Sequence, residues 1–250
     1  MFNIKNSCWL LALIALSEAG YTNENSPVSV KKINQLITQH FEVLDIPPAV
    51  SVGQQKEGGI VVWLGSSKRS GIVAALQNYT SESSRLVIDG RNLLYSYSAS
   101  GMGGGFQNDA IITAAQGTIG SGPYVLINYA NAYSTTPEGE DITPPINNKN
   151  DITCSETCLG GWYIPNLGEF KVMFKSLCET PYALDSGEFE GNKIYYWTST
   201  QSLTGQGLIK VVHIPANHNC DISQLEVSDI EQDYTLPTGT SRARFVRQFG

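Results

Sequence analysis

Three aromatic-rich segments in the second half of the chain limit its fold more than any other part of the sequence. They are residues 160–170 (GGWYIPNLGEF), residues 195–200 (YYWTST) and residues 241–249 (SRARFVRQF). Burying aromatic side chains of this size contributes several kcal/mol by area. Packing into a core therefore accounts for their presence without any catalytic role.

The first segment contains a helix start. Asn166 follows Pro165 and precedes Glu169 by three residues, which is the spacing of a capping box. Apolar residues then recur through Leu177, so we expect a helix that begins near Asn166. Trp162 is expected to lie on the strand or turn that leads into it.

The other two segments have strand patterns. Residues 195–200 predict a central strand, followed by a turn at 203–207 and a strand at 208–214. The C-terminal residues 242–249 predict one closing strand, in which Arg247 is expected to be paired and partly buried. Alternation would place Ala243, Phe245, Arg247 and Phe249 on one face and the other residues on the opposite face.

The first half of the domain predicts a hairpin and two helices. Apolar runs at 58–64 and 71–76 flank a polar turn at 65–70. The glycine-rich run 98–105 lacks the lysine of a phosphate-binding loop and predicts a plain loop. Helices are expected at 108–116 and 124–133, before a polar surface loop at 137–151.

These segments, in this order, resemble the Lcl C-terminal-domain family, a bacterial branch of the C-type-lectin-like fold related to the formylglycine-generating-enzyme fold. The resemblance covers residues 52–249 and implies an α+β domain with a mixed, twisted, antiparallel sheet, flanking helices and long loops. The periodicity of residues 27–44 predicts a short N-terminal helix before this domain. The resemblance implies that these segments determine the fold and that none of them is catalytic. The chain lacks the Glu-Pro-Asn or Gln-Pro-Asp triplet of calcium-dependent sugar-binding lectins and the collagen-like repeats of the adhesin.

The N-terminus predicts export. Lys5 precedes an apolar run at 8–16, and the small residues Ser17 and Ala19 follow at the cleavage-determining positions, so residues 1–19 are interpreted as a signal peptide. An uncleaved anchor is the alternative. No other apolar run approaches the roughly 20 residues of a membrane span, so we expect no transmembrane span after signal removal. The product would be periplasmic, on the cell surface or secreted.

Residues 20–49 predict an amphipathic helix and a linker before a lectin-like domain at 50–250. Within 27–44 the apolar residues recur at three- and four-residue steps, and Val30, Ile37 and Leu44 are spaced by sevens. The spacing fits a coiled-coil seam through which copies would form a homo-oligomer. A helix packed on its own domain fits equally well.

Cysteine usage agrees with export. Cys8 would leave with the signal peptide, which leaves an even number of cysteines and favours two disulfides with three alternative pairings. The candidates are Cys154, Cys158, Cys178 and Cys220.

Charge and metal motifs exclude some functions. The net charge of −7 and the absence of a basic stripe argue against a nucleic-acid partner. His213, His218 and Cys220, with Asp221 as a fourth ligand, have zinc-site residue types, but ordinary histidines in a loop are favoured. Acidic residues at 138–141 do not follow an EF-hand order. We therefore expect neither metal nor cofactor.

The preferred function is recognition without catalysis. Loops 201–206, 215–224 and 227–240 would bind a glycan or a host or envelope protein. Aromatic rings stack on sugars and amides bond to hydroxyls, which makes the binding candidates Asn217, Asn219, Asp233 and Tyr234. The alternatives are an assembly component of a cell-envelope machine and a formylglycine-generating-type oxidase that uses paired cysteines.

Overall fold

The described residues form an α+β domain. The computed structural model describes residues 49–80, 86, 100–116, 126–143, 158–203, 207–232, 234–237 and 239–250. The chain separates into units 1–48 and 49–250, and every described residue belongs to the second. The predicted signal peptide, with Cys8, and the predicted helix at 27–44 lie outside the described residues.

Three α-helices occur in the described part of the chain, as the sequence predicts. They are α1 (Gly104–Gln116), α2 (Leu126–Ala132) and α3 (Leu167–Leu177). The prediction of a plain loop at 98–105 is wrong at its end, because Gly104 and Gly105 are the first residues of α1. A carboxylate from α3 accepts hydrogen bonds at that helix start, and the local sequence around the glycines does not reveal it.

One sheet has four strands, in the order β1-β2-β3-β11. The predicted hairpin is confirmed, because β2 and β3, the two central strands of this sheet, pair antiparallel. The C-terminal strand closes the sheet, because Phe249 pairs with Gly71 and Val246 with Ala74. The strands are β1 (Gln55–Lys56), β2 (Gly59–Leu64), β3 (Gly71–Ala75) and β11 (Val246–Phe249).

A second sheet has five strands, in the order β4-β10-β7-β8-β9, so the predicted central strand is indeed central. Only β10 and β7 pair parallel there. The strands are β4 (Tyr79–Thr80), β7 (Tyr195–Gln201), β8 (Leu208–His213), β9 (Glu226–Glu231) and β10 (Ser241–Ala243). A separate short hairpin joins β5 (Glu188–Phe189) to β6 (Asn192–Lys193).

Strand β9 corrects the predicted loop at 227–240. The five residues of β9 beyond Glu226, residues 227–231, lie in that range and pair in register with β8. Most of β9 is exposed and its side chains are largely polar or acidic, as befits the edge of a sheet. The sequence therefore carries little of the apolar alternation that marks a strand.

The C-terminal segment also differs from its prediction, because it forms two strands in two sheets. The chain leaves the five-stranded sheet after Ala243 and enters the four-stranded sheet at Val246. Arg244 lies at the crossing, 2% exposed. Its Nε donates to Asn78 Oδ1 at 2.8 Å and its Nη1 donates to the Ala75 carbonyl at 2.6 Å. These bonds fix the crossing against the end of β3.

The prediction that Arg247 is paired and partly buried is confirmed. Its guanidinium lies 3.0 Å from the Glu57 carboxylate, and its side chain is 20% exposed. The residue is thus paired and partly buried, and it joins β11 to the turn between β1 and β2.

The core has two parts. In one, Trp197 of β7 is fully buried and donates from its indole nitrogen to Ser241 Oγ at 3.0 Å. In the other, the apolar face of α3 packs on β2, with Phe170 and Phe174 buried. Burial of each aromatic ring contributes about 2–3 kcal/mol by area.

A buried carboxylate joins the starts of two helices. Glu169 completes the predicted capping box of α3, accepting from the Asn166 amide at 2.8 Å. The same carboxylate accepts from the Gly103 amide at 2.7 Å and from the Gly105 amide, at the start of α1. A side chain on Gly105 would collide with this carboxylate and with the Ile164 carbonyl, so that position requires glycine.

We predict that Glu169→Gln lowers the free energy of unfolding by about 2–4 kcal/mol, because its amide nitrogen would face donors where both carboxylate oxygens now accept. Urea denaturation followed by circular dichroism measures the loss. Glu179→Gln, at an exposed position just beyond α3, is the control and should change stability by less than about 0.5 kcal/mol. Equal stabilities of the two variants would contradict the double-capping role.

Candidate functional site

Three of the four predicted binding residues lie near the β8–β9 hairpin. Asn217 and Asn219 are exposed in the connection between the two strands, residues 214–225, which we call the 214–225 loop. Tyr234 is 49% exposed, and its amide donates to the Glu231 carbonyl at the end of β9. Asp233 lies outside the described residues.

The hairpin separates these residues. His213 pairs with Glu226 at the end that carries the 214–225 loop, and Leu208 pairs with Glu231 at the end that leads to Tyr234. Five residue steps along the ladder span roughly 17 Å. The two asparagines are therefore grouped together, and Tyr234 follows the opposite end of the strand pair.

A tight turn shapes the 214–225 loop. The Asp221 amide donates to the His218 carbonyl at 2.8 Å, and the two central residues of this turn, Asn219 and Cys220, have φ of 44° and 57°. Positive φ at both central positions is the signature of a type I′ turn. Asparagine tolerates this conformation, whereas cysteine is strained there by about 1–2 kcal/mol.

A disulfide holds the strained residue. Cys178, at the C-terminal end of α3, is bonded to Cys220, so this pairing among the three alternatives is the one formed. By chain entropy, closing a loop over a sequence separation of 42 residues contributes about 4 kcal/mol. Cys158 is also disulfide-bonded, and Cys154 lies outside the described residues.

Polar contacts fix the rest of the loop backbone. Asp221 Oδ1 accepts from the Ser223 amide at 2.8 Å and so caps a short 3-10 helix, Ile222–Gln224. This hydrogen bond lowers the pKa of Asp221. The side-chain amide of Gln224, oriented with its nitrogen toward these groups, donates to the backbone carbonyls of Asn217 and His218. The loop therefore presents its two exposed asparagines on a backbone that is already held in place.

The histidines do not form the cluster that their spacing suggests. His213 is buried and its Nδ1 contacts the Ile194 carbonyl at 2.9 Å. His218 instead lies against the disulfide, with Nδ1 at 3.5 Å from Cys178 Sγ, a neighbour that is 40 residues away in sequence. The sequence pattern could not identify this partner because it comes from another element.

A second group of ionisable side chains is buried beneath the glycine-rich turn. Glu169 accepts from the Tyr163 hydroxyl at 3.2 Å, and Asp109 of α1 accepts from the Ile164 amide at 3.0 Å. Burial raises the pKa of both carboxyls, and the nearby Glu169 charge raises that of Asp109 further. Both residues are at most 3% exposed, so these carboxyls cannot contact a substrate in this conformation.

The acidic loop near residue 138 is organised by its own contacts. Asp141 accepts from the Tyr129 hydroxyl at 3.1 Å and from the Thr143 amide at 2.8 Å. Its remaining acidic residues, Glu138 and Glu140, are exposed. A solvated loop accounts for these side chains.

No family model matches the chain, and no curated protein matches it. Among the described residues, none of the helices has the length and apolar character needed to cross a membrane.

We predict that Asp109→Asn stabilises the protein increasingly as pH rises. Burial raises the folded-state pKa of Asp109 above the unfolded value of about 3.9, so its ionisation opposes folding. The variant's free energy of unfolding minus that of the wild type should be constant below pH about 4 and should increase above it. Above that pH the carboxyl of the wild type ionises in the unfolded state while burial keeps it neutral in the folded state, and the variant has no such group.

Urea denaturation of both proteins between pH 3 and pH 8 measures this difference. Glu138→Gln, at an exposed carboxyl, is the matched control and should give a much smaller slope. If the difference for Asp109→Asn is independent of pH, the carboxyl is not kept neutral by burial.

Proposed function

We propose that this chain is an exported recognition and adhesion protein, which binds a glycan or protein ligand through the loops of a C-type-lectin-like scaffold and catalyses no reaction. The observation that carries the proposal is the 214–225 loop, whose backbone is held by a disulfide and by side-chain contacts while Asn217 and Asn219 remain exposed. A loop that is ordered before binding loses less entropy on association.

The arrangement of the domain supports the lectin-like assignment. The segments that carry the family resemblance include a first hairpin, a capped helix, a central aromatic strand and a closing strand. All four contribute buried residues to the two parts of the core, and the closing strand pairs with β3 of the first hairpin. Such a scaffold leaves its connecting loops free to vary in sequence.

The state of the cysteines favours recognition over oxidase chemistry. A cysteine oxidase needs reactive thiols, whereas Cys178 and Cys220 are bonded to each other and Cys158 is also in a disulfide. The buried carboxyls Asp109 and Glu169 are closed to solvent. The exposed amides and the Tyr234 ring are better suited to bind than to transform a ligand.

Binding to a glycan array and to immobilised matrix proteins tests the proposal and assigns the site. We expect wild-type binding, reduced at least about tenfold when Asn217→Ala and Asn219→Gly are combined, since a lost pair of hydrogen bonds contributes roughly 1.4 kcal/mol or more. Glycine at 219 keeps the positive φ of the turn, so the loop should retain its shape.

Two further variants separate the ends of the hairpin. Tyr234→Ala tests the opposite end, and Asn192→Ala removes an exposed amide from the β5–β6 hairpin as a matched control. Loss of binding in the control as well would indicate non-specific adsorption. Folded protein that binds no glycan and no matrix protein would overturn the proposal and favour an assembly role in the envelope.

A further inference from the structure

Three metal-binding side chains meet where the end of α3 faces the 214–225 loop. The Sγ atoms of Cys178 and Cys220 and the Nδ1 atom of His218 all lie within 4.8 Å of one another, and each residue is half-buried. No other group of three such side chains occurs among the residues that the structure describes. Neither sulfur is free in the oxidised protein, because the two form a disulfide.

The spacing matches what a tetrahedral cation requires. With Zn–S near 2.3 Å and Zn–N near 2.05 Å, neighbouring sulfur and nitrogen ligands are about 3.5 Å apart and two sulfurs are about 3.8 Å apart. The Cys178 Sγ to His218 Nδ1 distance is already 3.5 Å. To admit the cation, the two sulfurs have to separate from bonding distance to about 3.8 Å, and the Cys220 amide has to move away from His218 Nδ1.

The imidazole is held with the required nitrogen toward the sulfurs. His218 Nδ1 accepts from the Cys220 amide at 3.0 Å, so the neutral ring carries its proton on Nε2. The ring also packs edge-on against Phe174, with centroids 5.1 Å apart. A cation would bind the Nδ1 lone pair that now accepts this hydrogen bond, so the ring would not have to rotate.

We propose that Cys178, His218 and Cys220 form a zinc site when the disulfide is reduced, and that zinc and the disulfide compete for the same two sulfurs. A dithiol reductant transfers two electrons and two protons to the disulfide, giving two cysteine thiols and the oxidised reductant. Zn²⁺ then binds both sulfurs as thiolates and releases two protons. Three protein ligands leave the fourth position to water.

The surroundings suit this exchange. Each thiolate offsets one charge of the cation, so the loaded site is neutral. The Cys178 amide donates a hydrogen bond to the Phe174 carbonyl at 3.0 Å, and the Cys220 carbonyl accepts from Lys175 Nζ at 3.2 Å. Zinc would therefore keep the end of α3 linked to the 214–225 loop after the covalent link is lost. This inference does not depend on the proposed ligand binding.

Zinc titration of the purified chain, reduced by excess dithiol and then freed of reductant without oxygen, tests the site. We expect one tight Zn²⁺ per reduced chain and none in the oxidised chain. Cys178→Ser and His218→Ala should each weaken binding at least about 100-fold, since even partners that only orient a ligand contribute 10–100-fold. Cobalt in place of zinc should give thiolate-to-cobalt charge-transfer absorption.

Controls distinguish this site from other thiols. The double variant Cys154→Ser with Cys158→Ser keeps the three ligands and should bind zinc as the wild type does. In denaturing urea the reduced chain should lose tight binding, because residues 178 and 218 are then brought together only by chance. Equal zinc binding by the oxidised chain or by Cys178→Ser, or none by the reduced chain, would overturn the proposal.

Discussion

The carboxylate of Glu169 is the interaction on which the rest of the domain depends. Helix starts leave backbone amides without partners, and burying such amides unpaired costs about 1–3 kcal/mol each. Glu169 accepts from the Asn166 amide at the start of α3 and from the Gly103 and Gly105 amides at the start of α1. One buried side chain thus fixes the relative position of two helices that are far apart in sequence.

The position of α3 in turn determines the candidate site. Its first turn is tied to the central strand, because the Leu167 amide donates to Thr200 Oγ1 at 2.8 Å. Its last turn ends at Cys178, whose disulfide reaches Cys220 in the 214–225 loop. The loop is therefore held from both sides: by β8 and β9, which it connects, and by α3, which is anchored at its other end by Glu169.

Local signals allowed the sequence to predict much of this fold. The capping box at Asn166, the first hairpin and the strand that contains Trp197 all depend on residues within a few positions of each other. Elements that depend on distant partners were missed. Strand β9 is polar because it lies at a sheet edge, and the break at Arg244 reflects bonds to Asn78 and Ala75, more than 160 residues earlier.

The candidate site divides in the same way. Composition and loop position identified Asn217 and Asn219 as exposed amides, but only the strand register placed Tyr234 beyond the opposite end of the hairpin. The four candidate cysteines left three pairings open, because pairing depends on which elements face each other in the folded domain. For the same reason His218 could be matched only with its sequence neighbours and not with Cys178.

The geometry of the 214–225 loop links its shape to its redox state. Cys220 adopts a positive φ that its side chain disfavours, so the turn is stable only while other contacts hold it. Two of these contacts, the disulfide and the His218 Nδ1 bond to the Cys220 amide, involve atoms that a zinc ion would take over. A cation bound by Cys178, His218 and Cys220 would exchange one constraint on the turn for another. The exposed amides at 217 and 219 would then remain close to the end of α3 in either state, and losing both the disulfide and the cation would release them.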